Sequence, residues 1–506
     1  MTDALLLAVA AATGAAVMII ELMAVRLLAP WFGQTLPVWT NVIGVVLLAL
    51  AVGQWLGGRW AEAGRGYKPT SLLLVAGALS IALPDLVAWL SPATLPGDLS
   101  LEEAYPFVTL GSLLVALPVI GVPMAAMGAV APWLVKLSRD AAQRPGGVSG
   151  RVLAAGTAGS LLGAFGATYV LLGAVGSALS VRLAGGLLVL AALLLWRGAA
   201  RSVAPGRASL LALLVPVVGA MLPSVTRPGS VLDSAETPYQ FARVVRDDDG
   251  TVLLRLNEGL DSYHSAYRPG SIWTNRYFDA FVVPALLSQA APDGRRSVLV
   301  VGMGAGTMAR QSLALDPTLE VIGVEPDAAL TTLGRRWFGL PEDLVVHDGL
   351  DGRVALQLSD RRWGAILVDA YAQQMYLPHH LCTREFFALL RSRLLAGGVA
   401  ALNLGGRTRE DPVVAAVSAT FAAEFDGTTM ARVPGTRNWI LLGWNGGSLD
   451  RQLLGRRLQE TGAAEHLDWF LTGDLFAPVC PDASSELVDG DDPVEALADA
   501  AWRGRS

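Results

Sequence analysis

The chain is poor in charge and nearly free of cysteine. Only 16% of its 506 residues are Asp, Glu, Lys or Arg, while 53% are hydrophobic, well off the averages of soluble domains. Two cysteines, Cys382 and Cys480, stand without paired spacing, which excludes a disulfide framework and a zinc site. Net charge is −6 and basic clusters of the kind that nucleic acid requires are missing, so no nucleic-acid partner is expected. His379 and His380 have no carboxylate or cysteine at ligand spacing; they read as loop residues, and no metal is expected.

What is present is unevenly spread. Residues 1–226 hold nearly all the long uncharged runs, and residues from 230 onward have ordinary soluble composition. A bilayer-spanning helix needs about 20 apolar residues, and runs near 4–28, 38–58, 70–90, 107–134, 148–173, 176–196 and 207–223 qualify. The first is too long for a removable signal peptide and lacks a basic leading region and a small-residue cleavage site. A multi-pass bundle of about seven helices in the cell membrane is therefore expected over 1–226, with the lipid bilayer as its partner. Its dense glycines and alanines, as in Ala154–Gly166, permit close helix–helix contact in lipid. Lysines and arginines between alternate runs place the amino terminus on the cytoplasmic side. Seven full crossings would then put the globular half outside, where nucleoside ligands are scarce. The last run is short and holds Pro216, so the globular half is expected in the cytoplasm, with the parity of spans leaving this open. Glu21, Arg26 and Asp85 are charges within or beside these runs. They read either as pairs between helices or as the lining of a polar cavity that admits a substrate.

The second half opens, over 230–290, with strand-like alternation. Phe241–Arg246 and Thr251–Leu256 flank the turn Asp247-Asp-Asp-Gly250, an antiparallel hairpin in a small β module. Over 291–460 strands alternate with helices, near 297–301, 319–324, 343–347, 364–369 and 398–403, which predicts a parallel sheet. Two more strands, 427–433 and 437–443, are joined through Pro434-Gly435 as an antiparallel hairpin. That layout is an α/β, Rossmann-like, methyltransferase-type fold. Residues 461–506 form a tail. The centre of this half is Ser297-Val-Leu-Val-Val-Gly-Met-Gly-Ala-Gly-Thr307. Gly302, Gly304 and Gly306 let backbone approach a nucleoside at a helix start. The next strand ends on Glu325, which suits ribose hydroxyls. Position 307 is Thr, so the third glycine of the dinucleotide fingerprint is missing. Asp348-Gly349 and Asp369 end the third and fourth strands, so three acids converge at the carboxyl edge, where ligands of such sheets sit. A long loop, Tyr371–Thr383, could close over that edge.

Together these residues resemble the polyamine aminopropyltransferases, the spermidine synthase family, over roughly 233–445. The resemblance extends to members fused to a truncated, major-facilitator-like membrane bundle. It is carried by Ile20–Gly33, Val38–Gly44 and Gly53–Arg59 in the first half, by Thr237-Pro-Tyr-Gln-Phe-Ala-Arg-Val-Val245, Asn275-Arg-Tyr-Phe-Asp279 and Leu381–Phe387 in the second, and by the closing Leu487–Glu495. It implies a transferase that moves an aminopropyl group from decarboxylated S-adenosylmethionine to an amine such as a polyamine. Gln240, the three glycines, Glu325, Asp348 and Gly349 would bind the cosubstrate, Tyr239, Tyr277 and Tyr371 the amine, and Asp369 would be catalytic. A homodimer is left open. Two departures thin the recognition of a diamine. Ala305 stands in the glycine loop where the family has an aspartate, and Ala372 stands three residues past Asp369 where a second one is expected. A methyltransferase using intact S-adenosylmethionine, and a non-catalytic nucleoside- or polyamine-binding transporter or sensor, are therefore kept as alternatives.

Overall fold

A computed structural model describes residues 2–33, 36–64, 66–94, 101–199, 204–222, 230–257, 263–371, 377–478, 486–489, 494 and 497. Ala372 and Cys480 lie outside them, as does most of the closing segment 487–495. The chain forms two compact units. The first is Met1–Pro228 with Glu236–Phe241 and Asn257–Leu260, and the second is Gly229–Ala235, Ala242–Leu256 and Asp261–Ser506.

The first unit is helical: α1 (Asp3–Phe32), α2 (Leu36–Ala63), α3 (Pro69–Leu90), α4 (Leu101–Val119), α5 (Gly121–Gly128), α6 (Val130–Leu137), α7 (Pro145–Gly166), α8 (Leu172–Ala199), α9 (Arg207–Leu211) and α10 (Val215–Met221). Among the described residues, four helical runs are long and apolar enough to cross a membrane. They are Asp3–Phe32, Leu36–Ala63, Pro69–Thr94 and Pro145–Gly198, and the pair Thr109–Val119 and Gly121–Leu137, bent by 43°, makes a fifth if taken as one span. The sequence reading of about seven exceeds this count for two reasons. The runs 148–173 and 176–196 fall in one 54-residue helical stretch, in which two helices meet at a kink. Gly176, at φ 74° and ψ 173°, interrupts it. The last run, Arg207–Met221, is shorter than a span.

Small residues let these helices touch through backbone. A Cβ on Gly159 of α7 would lie 1.9 Å from the Ala11 carbonyl oxygen of α1, and one on Gly163 would lie 2.5 Å from that of Ala15. Gly77 and Gly185 do the same between α3 and α8, at 2.7 and 2.6 Å from each other's carbonyl oxygens. Partly exposed charge is paired as well: Arg182 of α8 donates to Asp85 of α3 at 2.9 Å. The guanidinium of Arg26 donates to the carbonyl oxygens of Thr237 and Pro238, within the same unit.

The second unit holds two sheets. Strands β1 (Ser230–Glu236), β2 (Phe241–Arg246), β3 (Val252–Leu256) and β4 (Ser265–Tyr267) lie side by side in chain order. The expected hairpin is β2–β3, closed by the Asp247 amide on the Thr251 carbonyl at 2.8 Å. The larger sheet comprises β5 (Ser297–Val301), β6 (Glu320–Glu325), β7 (Val345–Asp348), β8 (Trp363–Val368), β9 (Leu394–Gly405), β10 (Gly427–Arg432), β11 (Asn438–Trp444) and β12 (Leu475–Phe476). Its order is β12-β10-β11-β9-β8-β5-β6-β7. Neighbours from β7 to β9 pair in parallel, while β11 runs antiparallel to both β9 and β10. This is the five-strand parallel core with a terminal hairpin expected from the sequence. Alternate faces explain why β5 and β8 are apolar throughout. Val298 and Val300 join one core layer, Leu299 and Val301 the other, and a strand covered on both faces has no solvent side to mark with polar residues.

Candidate active site

The site begins where β5 stops. Gly302, Gly304 and Gly306 all adopt positive φ, 76°, 56° and 88°, which L side chains with a Cβ rarely tolerate. Gly302 is also short of space, because a Cβ there would lie 2.7 Å from the Asp369 carbonyl oxygen and 2.8 Å from Ala370 Cα. The loop is therefore pressed between two strand tips. Gly306 precedes the helix Thr307–Leu315, whose first residue fastens the loop to β4. Thr307 Oγ1 donates to the Ala266 carbonyl at 3.0 Å and accepts from its amide at 2.9 Å. Ser265 Oγ accepts the Ala305 amide at 2.9 Å.

Glu325, at the tip of β6, is almost fully buried beneath this loop. Its Oε2 accepts the Gly304 amide at 2.8 Å and its Oε1 the Asp327 amide at 3.1 Å. Burial nevertheless pushes its pKa up to about 8, against those two bonds, which pull it down. At neutral pH the carboxyl can thus both donate and accept, which suits a vicinal diol. Asp348 sits beside Glu325 in register. It is exposed, and one oxygen takes the Thr331 hydroxyl at 2.5 Å. The Gly349 amide donates to the Glu325 carbonyl at 2.9 Å, and Gly349 turns the chain at φ 77°.

Asp369 follows β8, and its amide bonds the Val301 carbonyl at 3.0 Å. The Tyr277 hydroxyl donates to its Oδ2 at 3.0 Å and Asn403 Nδ2 to its Oδ1 at 2.8 Å. Asn403 is held in turn, its Oδ1 accepting from Asn438 Nδ2 at 2.9 Å. Burial raises the Asp369 pKa to about 6, although both bonds oppose the shift. Tyr277 is pushed well above the usual tyrosine range by burial and by the nearby Asp369 charge, so it remains a donor. Burial and the same charge raise Tyr371 too, whose hydroxyl donates to the Asn403 carbonyl at 3.2 Å and accepts the Gly405 amide at 2.9 Å. Tyr263 stacks on Tyr277 with centroids 6.4 Å apart, and Arg276 covers a Tyr263 face at 4.1 Å. The result is a half-buried carboxylate, aromatic on one side and amide-braced on the other, one strand away from the glycine loop.

The strand register thus gathers Gly302, Gly304, Gly306, Glu325, Asp348, Gly349, Asp369, Tyr277 and Tyr371 at one sheet edge. Tyr239 and Gln240 belong to Glu236–Phe241 of the first unit, where Thr237 and Gln240 close a turn and Tyr239 is exposed. The two histidines bond locally, His379 to the Val488 carbonyl at 3.2 Å and His380 to Asp351 at 2.8 Å. Sequence reasoning missed Asn403 and Ser265. Asn403 had a signal, as a lone amide ending the apolar run Val399-Ala-Ala-Leu-Asn403 one register step past Val368–Leu402. Ser265 had none, since only the packing of β4 on the loop selects it.

No protein-family model matches the chain. A "Probable polyamine aminopropyl transferase" of Bifidobacterium longum is 32% identical over 279 residues, 52% of this chain and 61% of that relative. A polyamine aminopropyltransferase of Vibrio vulnificus is 31% identical over 111 residues, 21% of this chain and 36% of its own length. The chain therefore spans less than two thirds of the curated relatives it matches. Among solved structures, a probable spermidine synthase from Corynebacterium glutamicum superimposes with a TM-score of 0.37 at 22% identity, covering 49% of this chain and 95% of that one. Over about half its length the sequence is similar to that of a probable polyamine aminopropyl transferase.

Proposed function

We propose that the protein is a membrane-bound transferase of spermidine synthase type, which moves an aminopropyl group from decarboxylated S-adenosylmethionine to an amine acceptor. The observation that carries this reading is Asp369, a carboxylate braced by Tyr277 and Asn403 beside the glycine loop. The residues fit an adenosyl ligand: Gly302 is so crowded that only glycine leaves the loop low, and Glu325 offers a carboxyl to a diol from beneath it. Glu325 would hold the ribose, Asp348 the adenine amino group, and Gly349 would complete the cosubstrate site. When bound, the sulfonium supplies an activated carbon. Asp369 orients the amine so that its lone pair points at that carbon, and it takes the proton the nitrogen must lose as the new N–C bond forms. The carbon–sulfur electron pair leaves with sulfur as a thioether. Tyr277 and Tyr371 would line the amine's approach, where aromatic faces favour a cation. The long apolar helices of the first unit support membrane attachment.

A second reading, methyl transfer from intact S-adenosylmethionine, is favoured by Ala305 and Ala372, which remove two carboxylates from the side that would hold a dication. Mass spectrometry of amines incubated with the full chain and either cosubstrate separates the two. The expected product gains an aminopropyl mass, and Asp369→Asn loses about 10²–10⁴ in rate, the usual contribution of a positioned acid–base group. A methyl mass instead selects the second reading. No mass change with any amine, or an unimpaired Asp369→Asn, rejects the first.

A further inference from the structure

The first unit contains a cavity of about 340 Å³, open to the outside, bounded by α2, α3, α5 and α9. Its walls are Gly53, Leu56, Val75, Ala125 and Ala126 with the rings of Trp60 and Tyr67 toward one end. Two serine hydroxyls reach it, from Ser71 and Ser209, and both are already satisfied. Ser209 Oγ donates to the Gly206 carbonyl at 2.7 Å and lies 3.1 Å from Ser71 Oγ, which accepts the Gly206 amide at 3.1 Å. Among the described residues, no Asp, Glu, Lys, Arg or His lines the cavity. This chemistry decides the occupant. A polyamine crossing the bundle here would shed its water against a wall that offers no carboxylate, and an unpaired buried charge is costly. Hydrocarbon meets no such penalty, and an apolar cavity of about 150 Å³ already takes a benzene-sized guest. The cavity is therefore not the polar, substrate-admitting one that Glu21 and Arg26 allowed from sequence.

Its position adds the other half of the ligand. The cavity runs along the last turns of α2 and the first turns of α3, at one end of the bundle. Trp55, Trp60 and Tyr67 gather there, as rings do at a membrane–water boundary; Trp60 and Tyr67 pack edge to face at 5.6 Å. Exposed Arg59 and Arg207 and half-buried Lys68 stand directly beside lining residues, and exposed Lys136 of α6 reaches the last turn of α2; Glu62 is the acid of that turn, while Asp85 of α3 pairs with Arg182. Arg59 lies over the Trp55 ring at 4.9 Å, and Lys136 donates to the Ala61 carbonyl that ends α2. An apolar slot under a cationic rim at interfacial depth is complementary to one molecule class. We propose that this cavity is a binding site for an anionic phospholipid, one acyl chain in the slot and its phosphate against the basic rim.

The inference stands apart from the transferase reading, since every residue it uses lies in the first unit. The test is native mass spectrometry of the full chain released from nanodiscs of phosphatidylcholine containing a minority of phosphatidylglycerol. One phosphatidylglycerol per chain is expected to remain bound. Ala126→Phe fills the slot and should lower that occupancy about tenfold, the equivalent of an overpacking penalty. Because such a variant can fail to fold, Lys68→Gln with Arg207→Gln gives an independent readout at the rim. These changes should abolish the preference for phosphatidylglycerol while phosphatidylcholine is still retained. Absence of retained lipid from the wild type, retention without headgroup preference, or undiminished retention by a folded Ala126→Phe each overturns the proposal.

Discussion

The chemistry of Asp369 is set by burial and two hydrogen-bond donors acting in opposite directions. Burial raises its pKa, and the donors Asn403 and then Tyr277 lower it, leaving it near 6. As a proton acceptor it works only when ionised, so activity should rise with pH through about 6 and level off above. Removing a donor leaves the burial unopposed and moves that rise to higher pH. Asn403→Ala should shift the acid limb of kcat upward by about one unit, from the usual worth of a hydrogen bond to a charged group, and Tyr277→Phe should shift it less. A pH–rate profile of each variant is the measurement; an unmoved limb would mean that Asp369 is not the titrating group. Of these three residues the sequence marks two. Asp369 ends an apolar strand and Tyr277 sits in a recognisable segment, but Asn403 acts through a partner 34 residues away, a pairing that only the β8–β9 register reveals.

At the scale of elements, the glycine loop is where reading and structure agree most closely. The strand, the three glycines and the acid at the tip of the neighbouring strand follow from local pattern, because β-branched runs and positive-φ turns leave direct marks in sequence. The three positions are nonetheless unequal. A Cβ at Gly302 meets backbone, at Gly304 it meets the Ser265 hydroxyl at 2.9 Å, and at Gly306 it meets the Leu340 side chain at 2.3 Å. Backbone cannot rotate away as a leucine can. All three alanine variants carry left-handed strain of about 1–3 kcal/mol, and Gly302→Ala adds a clash that only separation of the β5 and β8 tips relieves. Urea titration of the full chain should rank Gly302→Ala as the most destabilised; an equal loss at Gly306→Ala would refute the steric ranking. Thr307 teaches the converse. Read as a missing glycine, it excludes the dinucleotide fingerprint, but its positive role, two hydrogen bonds to Ala266, depends on β4 lying alongside.

For the whole molecule, hydropathy finds the membrane half but does not fix its number of spans. A window of apolar residues cannot distinguish two helices from one long helix broken at Gly176, nor a short helix from a full crossing. Glycine-rich texture carries more than the count does, because it predicts where helices touch. Gly159 and Gly166 lie on the same helix, α7, with opposite surroundings. A Cβ on Gly159 would enter the Ala11 carbonyl at 1.9 Å, whereas one on Gly166 meets nothing within 4 Å. In lipid the hydrophobic effect does not hold helices together, so backbone-to-backbone packing carries the association. Gly159→Leu must therefore push α1 and α7 apart and should cost at least the 1–3 kcal/mol, roughly, of an overpacked core. Gly166→Leu should be close to neutral and corrects for the change in hydrophobicity and helix propensity, which is the same in both. Thermal unfolding of the two variants in one detergent gives the comparison. A large drop for Gly159→Leu alone is expected, and equal transitions would show that the α1–α7 seam does not hold the bundle.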